Sequence, residues 1–296
     1  MKLGLGTVQF GVDYGISNKS GKTSLTEVLQ ILNLAAENRI EYLDTAAMYG
    51  DSEEVIGKSL SNVDGHFNIV TKSPLFQGSA VGNIEAVELE HSFRESLQKT
   101  GVGRLHGLLI HQADDLIKPG GEHLVEKMRE LQLENRVELI GVSVYSAEQL
   151  DQILEIFTPE IVQLPVNVFD QRLIQSGHLK RLKELGVEIH ARSIFLQGLL
   201  LMDIEDVPKY FSGILDEIRQ YHGFLNRNGL SLLQGAMQFI NQLEEVDVAI
   251  VGVNSMQHLM QIIQAYKTLP DKVESMSRFS LSDPMMLNPA CWKADR

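Results

Sequence analysis

The sequence predicts an α/β protein, a single (β/α)8 TIM barrel in which eight parallel strands are surrounded by outer helices. Short apolar runs recur along the 296 residues, each is followed by an amphipathic helical pattern, and the composition does not change along the chain. Strands covered on both faces read as near-continuous apolar runs, and a barrel of this class takes roughly 250 residues. We therefore assign residues 1–296 to one domain, with a C-terminal tail from about residue 280.

The predicted elements alternate in order along the chain. The predicted strands cover residues 3–7, 42–45, 67–73, 106–112, 138–143, 160–167, 187–193 and 246–253. The predicted helices cover residues 24–38, 52–60, 84–100, 120–134, 146–157, 177–186, 230–241 and 255–269, with a long mixed segment before residue 230. Ser146 and Ser52 are predicted N-caps, and Gly186 is predicted to end a helix.

An open dinucleotide-binding sheet is the main alternative, because the segment GLGTVQ offers Gly4 and Gly6 at the end of the first strand. The third glycine position of that fingerprint is Gln9, and the next helix begins well downstream of the turn. The barrel is therefore the better interpretation.

Composition excludes several classes of partner. A net charge of −13 with no run of Lys or Arg argues against nucleic acid, and no apolar segment approaches the ~20 residues that span a bilayer. The start MKLGLGTVQFG is too short and glycine-rich for a signal peptide, so we expect a cytoplasmic protein. The single Cys291 permits no internal disulfide and no thiolate zinc site, and we predict no metal. The oligomeric state is left open.

Polar residues stand where predicted strands end, which is where catalytic groups of such barrels lie. Asp44 ends the second strand and Tyr49 follows in its loop, Lys72 ends the third strand, and His111 ends the fourth. Each alone is a common surface residue, but three adjacent strand ends bring the four side chains to one barrel mouth.

The segments LDTAAMYGDSEEVIG, IVTKS, LLIHQ and GVSV, in this order and spacing, resemble the aldo-keto reductase family over nearly the whole chain. The resemblance implies reduction of a small-molecule carbonyl, or the reverse reaction, with a nicotinamide cofactor. It also implies that Asp44, Tyr49, Lys72 and His111 are the catalytic residues. Tyr49 would donate the proton, and His111 would hydrogen-bond the developing oxyanion.

Lys72 is expected to help Tyr49 ionise. An ammonium about 4 Å from a phenol favours the phenolate by about 4 kcal/mol at an effective dielectric constant of about 20, or about three pKa units. Burial would discharge the lysine unless a carboxylate held it, and we assign this role to Asp44.

The resemblance also implies a set of cofactor contacts, although Val144 replaces an Asn that is frequent after the strand-5 serine. Arg192 stands where an aromatic ring often stacks under the nicotinamide. NADP(H) is favoured by resemblance, but the absence of Lys or Arg from Val253 until Lys267 leaves NAD(H) open. The implied contacts are Gly6, Thr7, Ser143, Gln163, Arg192, Ser193, Phe195, Gly198, Gly252, Asn254 and Ser255.

A polar substrate, such as a sugar-like aldehyde or ketone, is expected from the long polar loop at residues 9–24. The candidate substrate contacts are Asp13, Tyr14, Asn18, Asn167 and Arg172. Trp292 is expected to dock the tail onto the barrel.

Two other functions stay open on sequence alone. One is a cofactor-binding regulatory barrel with little turnover, and the other is a lyase or aldolase in which Lys72 forms a Schiff base.

Overall fold

A computed structural model describes residues 1–15, 18 and 21–292 of the chain. Eight parallel strands form a closed barrel in sequence order, with the last strand paired to the first. The predicted (β/α)8 class is therefore confirmed. The strands are β1 (Lys2–Gly6), β2 (Tyr42–Asp44), β3 (Asn68–Lys72), β4 (Leu105–Ile110), β5 (Val137–Ser143), β6 (Ile161–Pro165), β7 (Glu188–Arg192) and β8 (Val248–Gly252).

The helices surround the barrel, and within the described residues none is both long and apolar enough to cross a membrane. They are α1 (Val8–Gly11), α2 (Leu25–Glu37), α3 (Ser52–Leu60), α4 (Asn83–Thr100), α5 (Asp114–Ile117), α6 (Glu122–Leu133), α7 (Ala147–Ile156), α8 (Arg172–Gln175), α9 (His178–Glu184), α10 (Leu215–Arg227), α11 (Leu232–Asn241), α12 (Met256–Lys267) and α13 (Pro284–Leu287). Five short 3-10 segments are Leu196–Leu201, Ile204–Asp206, Lys209–Ile214, Ser277–Phe279 and Pro289–Cys291.

Local sequence explains several helix ends. Ser146 caps α7 by accepting a hydrogen bond from the backbone of Gln149, as predicted. Gly186 has φ 78°, the left-handed conformation that favours glycine after a helix, also as predicted. The mixed segment before residue 230 holds α10, a helix that the sequence pattern does not predict.

The core lies mainly between the barrel and the helices, where α2, for example, buries Val28, Ile31 and Leu32. A second layer fills the barrel itself. It includes the cluster of Tyr42, Val248 and Ile250 and the cluster of Val70, Leu109 and Ile161. A filled interior leaves the two ends of the barrel as the places for polar chemistry.

The strand register aligns the polar residues at one end. Gly6 pairs with Asp44 on one side and with Gly252 on the other, while Ser143 pairs with Gln163 and Pro165 with Arg192. Parallel strands point their carboxyl ends in the same direction, so these residues meet at one end of the barrel.

The tail packs on the outside of the barrel. The Trp292 ring meets Phe211 edge-on at 4.9 Å, and the Tyr210 hydroxyl donates to the backbone oxygens of Met285 and Cys291. Trp292 therefore docks the tail as expected, and the predicted tail beyond it, residues 293–296, lies outside the described residues.

Candidate active site

A cavity of about 670 Å³ opens at the carboxyl end of the barrel. That volume suits a small-molecule or cofactor site. All four predicted catalytic residues line it: Asp44, Tyr49, Lys72 and His111.

Asp44 and Lys72 form a buried ion pair at the base of the cavity. The Lys72 Nζ donates to Asp44 Oδ1 at 2.7 Å and to the Thr45 carbonyl at 2.9 Å. The side chains of Lys72 and Asp44 are only 1% and 7% exposed, respectively, so solvent screens this pair little. Gln163 also donates to Asp44 Oδ1 at 2.6 Å, which fixes the carboxylate from the far side of the barrel.

Tyr49 and His111 lie above this pair. The Tyr49 hydroxyl lies 3.5 Å from Lys72 Nζ, and the ring of Tyr49 meets that of His111 edge-on at 5.8 Å. The backbone N–H of His111 donates to Ser73 Oγ, while its Nδ1 is buried without a hydrogen-bond partner within the described residues. Such an orphaned polar atom beside a cavity is typical of a site that binds a polar ligand.

The pKa of Tyr49 is shifted in the direction opposite to the one expected from the sequence. Burial, followed by the negative charge of Asp44, raises the pKa of Tyr49 above its ordinary value of 10.0. Burial also lowers the pKa of Lys72, against the opposing effect of Asp44. The predicted depression of the Tyr49 pKa is absent because burial disfavours the phenolate and the nearby Asp44 carboxylate adds to that effect. Tyr49 is therefore a protonated acid at neutral pH.

His111 is neutral at physiological pH. Burial, reinforced by the positive charge of Lys72, lowers the pKa of His111 from 6.5 to about 4. A neutral imidazole keeps one N–H that can donate to an oxygen in the cavity.

The loop that carries Tyr49 packs closely against α1, and Ser52 after it hydrogen-bonds to the residue that follows β1. A Cβ on Gly11 would lie 1.7 Å from the Tyr49 carbonyl oxygen, so only glycine allows this close approach. The predicted cap role of Ser52 is wrong, because Asp51 is the N-cap residue of α3. The buried Ser52 hydroxyl instead donates toward Thr7 at 2.9 Å, since the first turn of α3 packs against the loop after β1.

Ten of the eleven residues implied as cofactor contacts line the same cavity: Gly6, Thr7, Ser143, Gln163, Arg192, Ser193, Phe195, Gly198, Gly252 and Asn254. Ser255 is not among the lining residues. Its hydroxyl caps α12 by accepting the N–H of His258 at 3.2 Å.

The guanidinium of Arg192 stacks on the ring of Tyr145. Its guanidinium carbon lies 4.1 Å from the centre of the Tyr145 ring, and Nη2 donates to the Val144 carbonyl at 3.2 Å. These two contacts hold the guanidinium at the wall of the cavity, which Arg192 lines.

The N-terminus of α12 already holds an anion. The backbone N–H of Met256 donates to the carboxylate of Glu27 on α2 at 2.6 Å. A helix N-terminus favours negative charge, and here an acidic side chain of the chain itself uses it.

Only two of the five expected substrate contacts line the cavity. Tyr14 and Asn18 line the cavity, and the Tyr14 hydroxyl accepts from Gln197. Asp13 accepts from Asn18 but does not line the cavity. The remaining two serve the fold: Asn167 closes a turn by accepting from two backbone N–H groups, and Arg172 is paired with Asp170. Of the polar loop at residues 9–24, positions 16, 17, 19 and 20 lie outside the described residues.

Several lining residues were missed by the sequence analysis. Tyr145 follows the strand-5 serine by two positions, and His258 and Gln261 share one face of α12 by their spacing. The position of α12 directly after β8 was the available signal for the last two.

The fold and the cavity define a barrel enzyme with a buried lysine–carboxylate pair beside a phenol and an imidazole. The sequence profile of the Aldo/keto reductase family matches residues 2–280. The chain therefore belongs to the aldo/keto reductase family and is an oxidoreductase that acts on carbonyl groups.

Named relatives are distant. Aldo-keto reductase str7 of Strobilurus tenacellus is 26% identical over 259 residues, which cover 81% of this chain and 76% of that protein. An uncharacterized oxidoreductase, YqkF of Bacillus subtilis (strain 168), is 22% identical, covering 88% and 89%. Aldo-keto reductase YhdN of the same organism is 25% identical over 181 residues, and the match spans only 53% of its length.

Solved structures share the fold. The holo form of aldo-keto reductase AKR11C1 from Bacillus halodurans has a TM-score of 0.74 and 20% identity, covering 94% of this chain and 90% of that one. The glycerol dehydrogenase AKR11B4 from Gluconobacter oxydans has a TM-score of 0.67 and 19% identity, covering 92% and 94%. At this identity the likeness extends to the barrel alone.

Proposed function

We propose that the protein is a nicotinamide-dependent carbonyl reductase in which Tyr49 is the general acid. The observation that carries this proposal is the protonated Tyr49 phenol, 3.5 Å from Lys72 and edge-on to His111 in one cavity. The bound cofactor would supply the hydride. The chain would supply a proton and hydrogen bonds to the carbonyl oxygen, where negative charge develops.

Each side chain has a separate part in this proposal. Tyr49 donates its proton to the carbonyl oxygen, and the neutral His111 donates a second hydrogen bond that orients the same oxygen. Lys72 stabilises the phenolate left on Tyr49, while Asp44 keeps the buried ammonium charged. Reduction is the direction that a protonated phenol favours, since oxidation would begin from the phenolate.

The cavity fits a nicotinamide cofactor. It extends from His111 past the glycines at the ends of β1 and β8 to His258 and Gln261 on α12. Beside those glycines the buried Gln9 Oε1 lacks a hydrogen-bond partner within the described residues, as a cofactor-facing amide would before binding. Ser143 and Gln163 would hold the carboxamide, and Arg192 would stack on the ring.

The preferred cofactor is proposed to be NAD(H). Glu27 places a carboxylate at the α12 N-terminus, which would repel a 2′-phosphate there, and Asn254 offers no positive charge. This reverses the NADP(H) preference drawn from resemblance.

The NAD(H) assignment is tested by titrating NADH and NADPH against the protein and following cofactor fluorescence. NADH should bind more tightly, and Glu27→Gln should narrow the difference in affinity between the two cofactors. Tighter NADPH binding would contradict the assignment.

The catalytic assignment is tested with Tyr49→Phe on a panel of polar aldehydes and ketones. Loss of the phenolic proton should lower kcat by about 10²–10⁴-fold while the dissociation constant of the reduced cofactor stays unchanged. Tyr266→Phe is the matched control, because it removes a tyrosine hydroxyl that lies outside the cavity and donates to the Met1 carbonyl. Undiminished turnover by Tyr49→Phe would refute the role.

A cofactor-binding regulatory barrel is the alternative function. It predicts that protein-bound reduced cofactor stays reduced when aldehyde is added, whereas the reductase oxidises it.

The alternative Schiff-base chemistry predicts borohydride trapping of a carbonyl ligand on Lys72. A cytoplasmic location and a lack of nucleic-acid partners stay predictions.

A further inference from the structure

A second cluster of chemistry-bearing side chains lies at the opposite end of the barrel, around the starts of β4 and β7. His106, Glu188 and His190 place one potential ligand atom each within 4.8 Å of one another. In the part of the chain that the structure describes, this is the one His, Cys, Asp and Glu group that meets this geometry. The proposed reductase chemistry uses none of the three.

Both histidines approach the same carboxylate oxygen. Nε2 of His106 lies 3.0 Å and Nε2 of His190 2.7 Å from Glu188 Oε1. Tetrahedral Zn²⁺ with bonds of about 2.0–2.1 Å holds its ligand atoms about 3.3 Å apart. The two N···O separations therefore need to widen by only about 0.3 and 0.6 Å.

The surroundings support a metal ligand set. Nδ1 of His106 lies 3.4 Å from Glu138 Oε2, the carboxylate contact that typically orients a metal-bound imidazole. His190 is fully buried, and within the described residues its Nδ1 has no hydrogen-bond partner, so Nε2 is the ring atom through which it contacts the cluster. A fully buried imidazole that shares one carboxylate oxygen with a second imidazole is poorly satisfied for its depth.

The Tyr42 ring packs against both imidazoles of the cluster. The Tyr42 ring meets His106 at 5.4 Å and His190 at 5.5 Å, edge-on to both. The side chains of His106 and Glu188 are 10% and 23% exposed, which leaves a path for an ion and a water as fourth ligand. Lys2, which lies over Tyr42, opposes a cation, but Glu188 and Glu138 outweigh its single charge.

We propose that His106, Glu188 and His190 bind a transition-metal ion, Zn²⁺ by ligand type, with water as the fourth ligand, and that the ion links β4 to β7 across the barrel floor. Imidazole and carboxylate ligands suit Zn²⁺, and the site is far from the substrate mouth. Glu138 positions His106 and does not ligate. The ion adds no step to carbonyl reduction.

The test is a Zn²⁺ titration of the untagged, chelator-treated full-length protein by calorimetry. One ion per chain is expected, with a rise in Tm of about 4 °C at a free ion concentration 100 times the dissociation constant. Co²⁺ in place of Zn²⁺ should give the intense visible absorption of a four-coordinate site.

Variants locate the ion. Glu188→Gln and His106→Gln should abolish stoichiometric binding, and Glu138→Gln, a change at a half-exposed side chain that folding tolerates, should weaken it 10–100-fold. His123→Gln is the control, because it removes an exposed His–Glu pair on α6. Absence of stoichiometric binding by the wild type, or binding unchanged in Glu188→Gln, His106→Gln and Glu138→Gln, would overturn the proposal.

Discussion

Replacing Asp44 with Asn tests how the buried ion pair holds the site. The Coulomb attraction across 2.7 Å is about 6 kcal/mol at an effective dielectric constant of about 20. Asn keeps an oxygen for Lys72 and Gln163 but removes the charge, and leaving one buried ion unpaired costs about 3–5 kcal/mol. With an unfolding entropy of about 0.6 kcal/mol/K for 296 residues, this lowers Tm by about 5–8 °C.

The effect of Asp44→Asn should depend on pH. Without the carboxylate, the pKa of Lys72 falls further below its ordinary value, because the effect of burial is no longer opposed by Asp44. The folded state then binds fewer protons than the unfolded state, so stability rises with pH up to about 10.4, the ordinary lysine value. The deficit in Tm relative to wild type should therefore shrink between pH 7 and pH 9.

The double variant Asp44→Asn/Lys72→Met provides the decisive comparison. Removing both charges avoids the unpaired ion, so most of the lost stability should return while reductase activity stays absent. Differential scanning calorimetry of the wild type, both single variants and the double variant gives the coupling energy. An Asp44→Asn protein as stable as wild type, or losses that simply add in the double variant, would refute the argument.

Three smaller predictions follow from local geometry. Gly11→Ala should lower kcat about 100-fold, because a Cβ 1.7 Å from the Tyr49 carbonyl oxygen forces the loop to shift. Gly103→Ala is the control: the space around Gly103 is open, so kcat should not change. Below pH 6.5 His111 is protonated in the unfolded state, whereas in the folded state it is protonated only at about pH 4. The free energy of unfolding of the wild type should therefore fall by up to ~3 kcal/mol over this interval. Urea unfolding of His111→Gln should show a smaller fall. Ser255→Ala should cost about 1 kcal/mol by losing the α12 cap, with cofactor affinity unchanged.

The barrel and the four polar residues at its mouth were predictable because both follow from short-range rules. Apolar runs set the strands, and parallel strands deliver Asp44, Lys72 and His111 to one end whatever the helices do. The ionisation state of Tyr49 was not predictable in this way. It depends on the depth of burial and on the nearby charge of Asp44, and both are properties of the packed structure.

Features built from distant segments were missed for a similar reason. His106 and Glu188 are separated by 82 positions, so no local spacing marks them as partners. Glu27 reaches Met256 across 229 positions, and Arg192 finds Tyr145 on another strand's loop. The helix α10 was missed because it follows three short 3-10 turns that interrupt the amphipathic pattern before it.

The contact between Gly11 and the Tyr49 carbonyl sets a boundary for redesign of this enzyme. Gly50, with φ 59°, faces the same contact from the other side, so neither loop accepts a side chain there. Changes of substrate range are therefore best made beyond Val12, where Tyr14 and Asn18 reach the cavity. Grafted loops that keep the two glycines should keep Tyr49 in its present position, and grafts that replace either should displace it.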